Sequence, residues 1–148
     1  MMIRILVSPD PIDIAAEMTR VEDGVGAVAT FTGLVRADDG VGTLELEHYP
    51  GATEAALRVV AQTAVDRWAL QAATIVHRVG PMGPGERIVF VAATAPHRGA
   101  ALEACAYLID RLKTDAPFWK RETRAGASSW VEARETDEAA AALWSDPN

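Results

Sequence analysis

Cysteine is the scarcest reactive group in this chain: Cys105 stands alone among 148 residues. A single thiol excludes an internal disulfide and any zinc site built from several cysteines. Histidine is nearly as scarce. His48, His77 and His97 lie far apart, without the short spacing of a metal motif. No apolar run approaches the roughly 20 residues that cross a bilayer. The N-terminal M-M-I-R-I-L-V-S-P-D lacks the long apolar core and small-residue cleavage site of a signal peptide. A cytoplasmic protein with no membrane attachment is the expectation. Positive charge is also in deficit, with 14 Lys and Arg against 21 Asp and Glu and a net charge of −7. That balance argues against nucleic-acid binding, so an anionic ligand has to be met by a local cluster of cations. There is no P-loop, dinucleotide fingerprint or Ser/His/Asp arrangement; G-P-M-G-P-G-E has neither the lysine nor the spacing of a P-loop.

What remains is a chain with 49% hydrophobic and 24% charged residues, the length of one domain and able to bury a real core. No repeat or linker divides it, so residues 1–148 read as a single domain. Ile3–Val7 fits a buried strand. Asp10-Pro11 supplies a helix cap and a first-turn proline for a helix over Ile12–Val21. Ala27–Gly33 is a strand leading into Leu34-Val35-Arg36, and Ala37–Gly42 a polar loop. Thr43–Tyr49 alternates, with Leu44, Leu46 and His48 facing one way and Glu45, Glu47 and Tyr49 the other. Pro50-Gly51 turns the chain, Thr53 is a candidate cap, and Leu57, Val60, Ala61, Ala64, Val65 and Trp68 recur on one helical face. Thr74–Val79 and Arg87–Ala95 are strands joined by a Gly- and Pro-rich loop, Gly80–Glu86. A second long helix covers about Gly99–Thr114, with Ala101, Ala104, Cys105, Leu108 and Leu112 as its apolar stripe; Cys105 therefore reads as core. Ser129–Arg134 is an expected strand and Thr136–Trp144 an expected terminal helix. The irregular order of strands and helices indicates mixed α and β without strict βαβ alternation.

The stretch L-K-T-D-A-P-F-W-K-R-E, Leu112–Glu122, sets Lys113 and Lys120 on either side of Phe118-Trp119. Ammonium groups beside apolar rings lose hydration, which favours their neutral, nucleophilic form. The competing reading has Lys113 snorkelling at a helix C-terminus and Lys120 on a solvated strand. His97-Arg98 stands where the second long helix begins, where free N–H groups and the dipole suit a phosphate; a capping histidine is the alternative. Arg36 closes a strand beside a glycine-containing loop, or is an ordinary surface arginine. Fifteen residues separate Arg98 from Lys113, roughly 22 Å of helix. One small substrate does not span that length, whereas a two-fold dimer brings the start of one helix near the end of the other. Glu45 and Glu47 read as a solvated strand face, and Glu86 has no evident partner.

The ordered series G-A-V-A-T-F-T-G-L-V-R (Gly26–Arg36), L-E-H-Y-P-G (Leu46–Gly51), H-R-V-G (His77–Gly80), P-G-E-R-I-V-F-V (Pro84–Val91), H-R (His97–Arg98), Leu112–Glu122 and W-V-E-A-R (Trp130–Arg134) resembles the catalytic large subunit of molybdopterin synthase. The likeness is collinear from about Gly24 onward; before that the chain agrees only in type, a strand and then a helix. The resemblance implies an α+β fold, an α/β hammerhead-like domain with an additional antiparallel β subdomain. It implies conversion of cyclic pyranopterin monophosphate to the dithiolene of molybdopterin. Sulfur would come from the C-terminal thiocarboxylate of a small ubiquitin-like sulfur-carrier subunit, with no metal and no resident cofactor. The implied assembly is a heterotetramer around a central homodimer.

Carried over by position, the resemblance makes Lys113 and Lys120 the catalytic lysines, stabilising the thiocarboxylate and developing oxyanions, with a covalent hold on substrate or partner as a further role it allows. Leu34, Val35, Arg36, His97, Arg98, Lys113, Lys120, Arg121 and Glu122 match substrate-binding positions, and Arg134 matches an arginine reaching the pocket across the dimer. Ala37–Gly42 is shorter than the family pattern. The rival from another class is a non-catalytic module binding a pterin or nucleotide phosphate, which has no need of both lysines. A metal-dependent hydrolase is disfavoured by the scattered histidines.

Overall fold

The computed structural model describes residues 2–24, 26–36, 42–124, 127–131 and 144. In chain order the elements are β1 (Met2–Ser8), α1 (Ile14–Val21), β2 (Ala27–Leu34), β3 (Thr43–His48), α2 (Ala52–Trp68), β4 (Ala72–Arg78), β5 (Gly80–Met82), β6 (Arg87–Ala95), α3 (Arg98–Asp115), β7 (Phe118–Arg124) and β8 (Ala127–Val131). All of β4 and all but the first residue of β6 are buried. Their near-continuous apolar runs are what a strand needs when both its faces are covered.

Those two strands form the middle of a sheet ordered β1-β4-β6-β2, in which only β1 and β4 are parallel. On one face Ala73, Ile75, Val89, Val91 and Ala93 join Leu57, Ala61 and Ala64 of α2 and Ala101, Ala104 and Leu108 of α3 in the main core. Fully burying a Leu or Ile side chain contributes about 1.5–3 kcal/mol, so this layer carries much of the stability. On the other face Val76, Phe90 and Ala92 meet Ile12 and Val21 of the α1 segment. There Arg4 donates two hydrogen bonds of 2.9 Å to the buried Glu17 carboxylate, fastening α1 to β1. The apolar stripes expected on α2 and α3 are buried as read, with Trp68 at the margin against Tyr107 and Trp144.

A second sheet, wholly antiparallel among the described strands, has the order β5-β3-β7-β8. Its Leu44, Leu46 and Met82 enter the main core. The fold is thus α+β, with a separate antiparallel sheet as expected. Three local expectations change. Gly80–Met82 is not simply loop: it pairs with Leu44–Leu46 of β3, and Pro81 is tolerated because β5 is an edge strand. The cap of α1 is Asp13, which accepts from Ala16 N at 3.1 Å, so the helix starts after Ile12. The cap of α2 is Gly51, at φ 84°, whose N–H donates to Glu54 Oε1 at 2.9 Å. Thr53 lies inside that helix and donates back to the Tyr49 carbonyl at 2.8 Å.

One glycine fixes where α3 begins. Gly26 has φ +111°, and a Cβ there would stand 2.1 Å from the Pro96 carbonyl oxygen. The start of β2 is therefore pressed against the turn that launches α3, a contact open only to glycine. Of the remaining expectations, the loop at 37–41, Arg134 and most of the helix Thr136–Trp144 fall outside the described residues.

Candidate functional site

α3 leaves the Ala95 end of β6 and returns beside it, about 27 Å for its 18 residues. Pro117 breaks it, since a proline disfavours helical backbone in the residue before it, and β7 starts at once. The first residue of β7, Phe118, stacks on His77 with ring centroids 4.0 Å apart and planes at 20°. His77 lies opposite Val89, near the Arg87 end of β6. The C-terminal end of α3 and the root of the second sheet thereby meet at one end of the first sheet.

Cross-strand register decides which way β7 points its side chains. Lys120 lies opposite Leu46, Phe118 opposite His48 and Glu122 opposite Leu44, so these share the core-directed face of β3. Trp119 and Arg121 lie opposite Glu47 and Glu45 on the other face. The expected aromatic pair is therefore divided: Phe118 accompanies Lys120, whereas Trp119 turns away and meets Tyr49 edge-on at 4.3 Å. Arg121 approaches Glu45 at 3.8 Å across that outer face.

His77 is buried and its protonation is pushed down to about pKa 3. Desolvation is the main cause, with further repulsion from Lys113, Lys120 and His48. Both lysines, one from α3 and one from β7, thus act electrostatically on one ring. The His77 Nδ1 lies 2.8 Å from the Arg78 carbonyl oxygen. A carbonyl only accepts, so in the neutral ring Nδ1 carries the proton and Nε2 keeps its lone pair. The His48 ring is 6.3 Å from Phe118, and its buried Nδ1 has no protein partner among the described residues.

Leu34, Val35 and Arg36 lie at this same end, because Leu34 pairs with Arg87. Leu34 and Arg36 are exposed; Val35 is in the core, with its N–H donating to the Glu86 carbonyl and its carbonyl accepting from Gly85, each at 2.9 Å. His97 and Arg98 are exposed at the far end of α3. The structure therefore brings Leu34, Arg36, Lys113 and Lys120 to one end of the first sheet, with Glu122 two residues further along β7 in the second sheet, and leaves His97 and Arg98 at the other end. Arg134 lies outside the described residues. Cys105, midway along α3, is buried and its thiol is raised to about pKa 11 by desolvation. Such a thiol is a poor nucleophile at neutral pH.

Sequence reasoning did not nominate His77, and it found no partner for Glu86. The Glu86 carboxylate accepts from Gly83 N and from Arg78 Nη1, the latter at 3.0 Å, and these bonds hold it below the usual carboxylate range. A turn glycine three residues before an acid was the available signal for the first of these. A cleft of about 420 Å³ is lined by Arg20, Asp23, Gln71 and Thr94 among others, at the opposite end of the sheet from the lysines. It has no part in this arrangement.

Fold and site together define an α+β protein whose two sheets meet at a cationic corner containing a lysine pair, a setting suited to acyl or anionic chemistry. The chain belongs to the family described as MoaE protein, whose model matches residues 7–115. It is 47% identical to the molybdopterin synthase catalytic subunit of Escherichia coli K12, over 95% of this chain and 97% of that one. The structure is similar to molybdopterin cofactor biosynthesis protein E from Burkholderia multivorans, with TM-score 0.85, 46% identity and full coverage of both chains. Similarity to molybdopterin synthase from Staphylococcus aureus gives TM-score 0.76 at 32% identity, over 87% of this chain and 96% of that one.

Proposed function

We propose that the chain is the catalytic subunit of a molybdopterin synthase, an enzyme of molybdenum cofactor biosynthesis. In this reading it transfers sulfur from the C-terminal thiocarboxylate of a small ubiquitin-like carrier subunit to cyclic pyranopterin monophosphate. The observation that carries it is the convergence of Lys113 and Lys120 on the His77–Phe118 corner, in a chain nearly half identical to named catalytic subunits. Two ammonium groups neutralise the attacking thiocarboxylate, and then the oxyanion that develops when water attacks the carbonyl carbon of the resulting carrier–pterin thioester, which frees the carrier's carboxylate and leaves the sulfur on the pterin. Beside the Phe118 ring such charges interact more strongly than in open water. Arg36 supplies a cation for the phosphate of the pterin. Cys105, buried and protonated, takes no part as a sulfur relay.

The separation of His97 and Arg98 from the lysines supports a pocket shared between two copies. His97 caps α3 with no side-chain hydrogen bond, and the first turn of that helix holds no acid. Arg98 and the helix dipole there add to one another, which favours an anion brought by the partner copy. A central homodimer with a carrier subunit at each end, each chain one domain over 1–148 and working in the cytoplasm, completes the reading. Among the described residues no helix is long and apolar enough to cross a membrane.

The test mixes this chain with a thiocarboxylated carrier and the cyclic pterin and assays for the dithiolene product. Product formation supports the enzyme. Pterin binding without dithiolene, from a carrier proven to be thiocarboxylated, favours a non-catalytic phosphate-binding module.

A further inference from the structure

Arg36 leaves β2 at the point where the sheet ends, and Val35 is the last residue before it that the protein grips. Both backbone groups of Val35 are held by one short turn: its N–H donates to the Glu86 carbonyl and its carbonyl accepts from Gly85, each at 2.9 Å. That turn is closed on itself by the Glu86 side chain, which accepts from the Gly83 N–H, and by the Glu86 N–H, which donates to the Gly83 carbonyl at 3.2 Å. It is then anchored from beneath. Arg78 donates from Nη1 to Glu86 Oε1 at 3.0 Å, and from Nη2 to the Pro9 carbonyl at 3.1 Å. The Arg78 side chain is only 9% exposed, so its position is set by the sheet rather than by solvent. The Glu86 side chain, by contrast, is about half exposed at 48%. The pair is half-buried, so losing the carboxylate leaves the Arg78 guanidinium to the Pro9 carbonyl and carries some cost in stability. The pair also fixes geometry: a buried guanidinium, a carboxylate, a turn and the backbone immediately before Arg36.

We propose that Glu86 is a positioning residue for substrate binding: through the turn 83–86 it holds Val35, and so orients Arg36 toward the phosphate of the bound pterin. This rests on the assignment of Arg36 as a phosphate contact made above. Glu86 itself touches no substrate. Its removal leaves the main core intact but lets the end of β2 swing, so that Arg36 is no longer preorganised and the cost of ordering it falls on binding. The lysine corner, held by the His77–Phe118 stack, is not touched by this change.

The experiment measures steady-state KM for the pterin and kcat for Arg36→Ala, Glu86→Ala, Glu86→Gln and the double variant Arg36→Ala/Glu86→Ala. Each is assayed in complex with thiocarboxylated carrier, with its melting temperature recorded. Glu86→Ala is expected to raise KM about tenfold, equivalent to roughly 1.4 kcal/mol, with kcat changed by less than about twofold. Glu86→Gln keeps one acceptor oxygen and falls between Ala and the native residue. Because Glu86 acts only through Arg36, the double variant should be no worse than Arg36→Ala by more than about twofold. An unchanged KM in Glu86→Ala beside a raised KM in Arg36→Ala overturns the proposal, as do effects that multiply in the double variant. A fall in kcat accompanied by a lowered melting temperature overturns it too, since that marks a general loss of structure. An unchanged KM in Arg36→Ala removes the parent assignment, and the positioning role goes with it.

Discussion

The two ends of α3 place cations in opposite surroundings. At the C-terminal end Lys113 stands near a buried neutral imidazole, a stacked phenyl ring and a second lysine from another sheet. The helix dipole also favours a cation there. At the N-terminal end His97 and Arg98 are exposed, on a helix start that lacks the acids found in the first turns of α1 and α2. One end is assembled within the chain; the other keeps its positive potential unmet among the described residues. The difference teaches that the two ends of one helix can be finished in unlike ways, which is what the proposed pocket shared between two copies would require.

The comparison breaks most sharply at the lysine end. Lys113→Ala should lower product formation by a factor on the order of 10² or more, as loss of a charge stabiliser in a shielded site does. The melting temperature should stay near that of the native chain, and undiminished turnover would show that Lys113 is not catalytic. Lys120→Ala should follow the same pattern.

Mixing tests whether the two ends belong to one pocket. Lys113→Ala and Arg98→Ala, each impaired alone, are allowed to exchange subunits. If each pocket takes Lys113 from one chain and Arg98 from the other, about one quarter of the sites are intact in a random equimolar mixture. Recovery of roughly that share of native activity is expected; no recovery, once exchange has been verified by mass, places both residues in a single-chain pocket.

A smaller effect sharpens the account of the lysine corner itself. His77 is neutral when folded, with its pKa depressed to about 3, whereas in the unfolded chain it titrates near 6.5. Between those values the unfolded state binds a proton that the folded state refuses, so stability falls as pH is lowered through that window. The slope is at most about 1.4 kcal/mol per pH unit. His77→Phe keeps a ring for Phe118 and should flatten that dependence in denaturant titrations at pH 4 to 6. An equal slope in the variant would mean that His77 is not the group responsible. Smallest of all, Cys105→Ala, midway between the two ends, should leave turnover within about twofold and cost on the order of 1 kcal/mol of stability.

Much of this was legible in the residues. The buried strands β4 and β6 and the stripes of α2 and α3 are long, periodic signals, and the structure follows them closely. β5 was hidden because Gly80-Pro81-Met82 carries the composition of a loop, and only pairing with a strand some 35 residues earlier makes it a strand. The separation of Phe118 from Trp119 follows from register with β3, which no local pattern encodes. His77 was overlooked for a similar reason. Inside T-I-V-H-R it reads as one more core residue, and its stacking partner is 41 positions away.

That distance along the chain has a kinetic side. Lys120 is held by pairing between β7 and β3, whose facing residues Lys120 and Leu46 are 74 positions apart. Loop closure of that length is among the slower steps available to a domain, and strand pairs of this kind are candidates for opening without loss of the rest. If the outer strands of the antiparallel sheet part while β4 and β6 remain protected, Lys120 leaves Lys113 in a protein still largely folded. Amide exchange faster in β7 than in β6 would be its signature. Activity would then be lost on warming before the main unfolding transition.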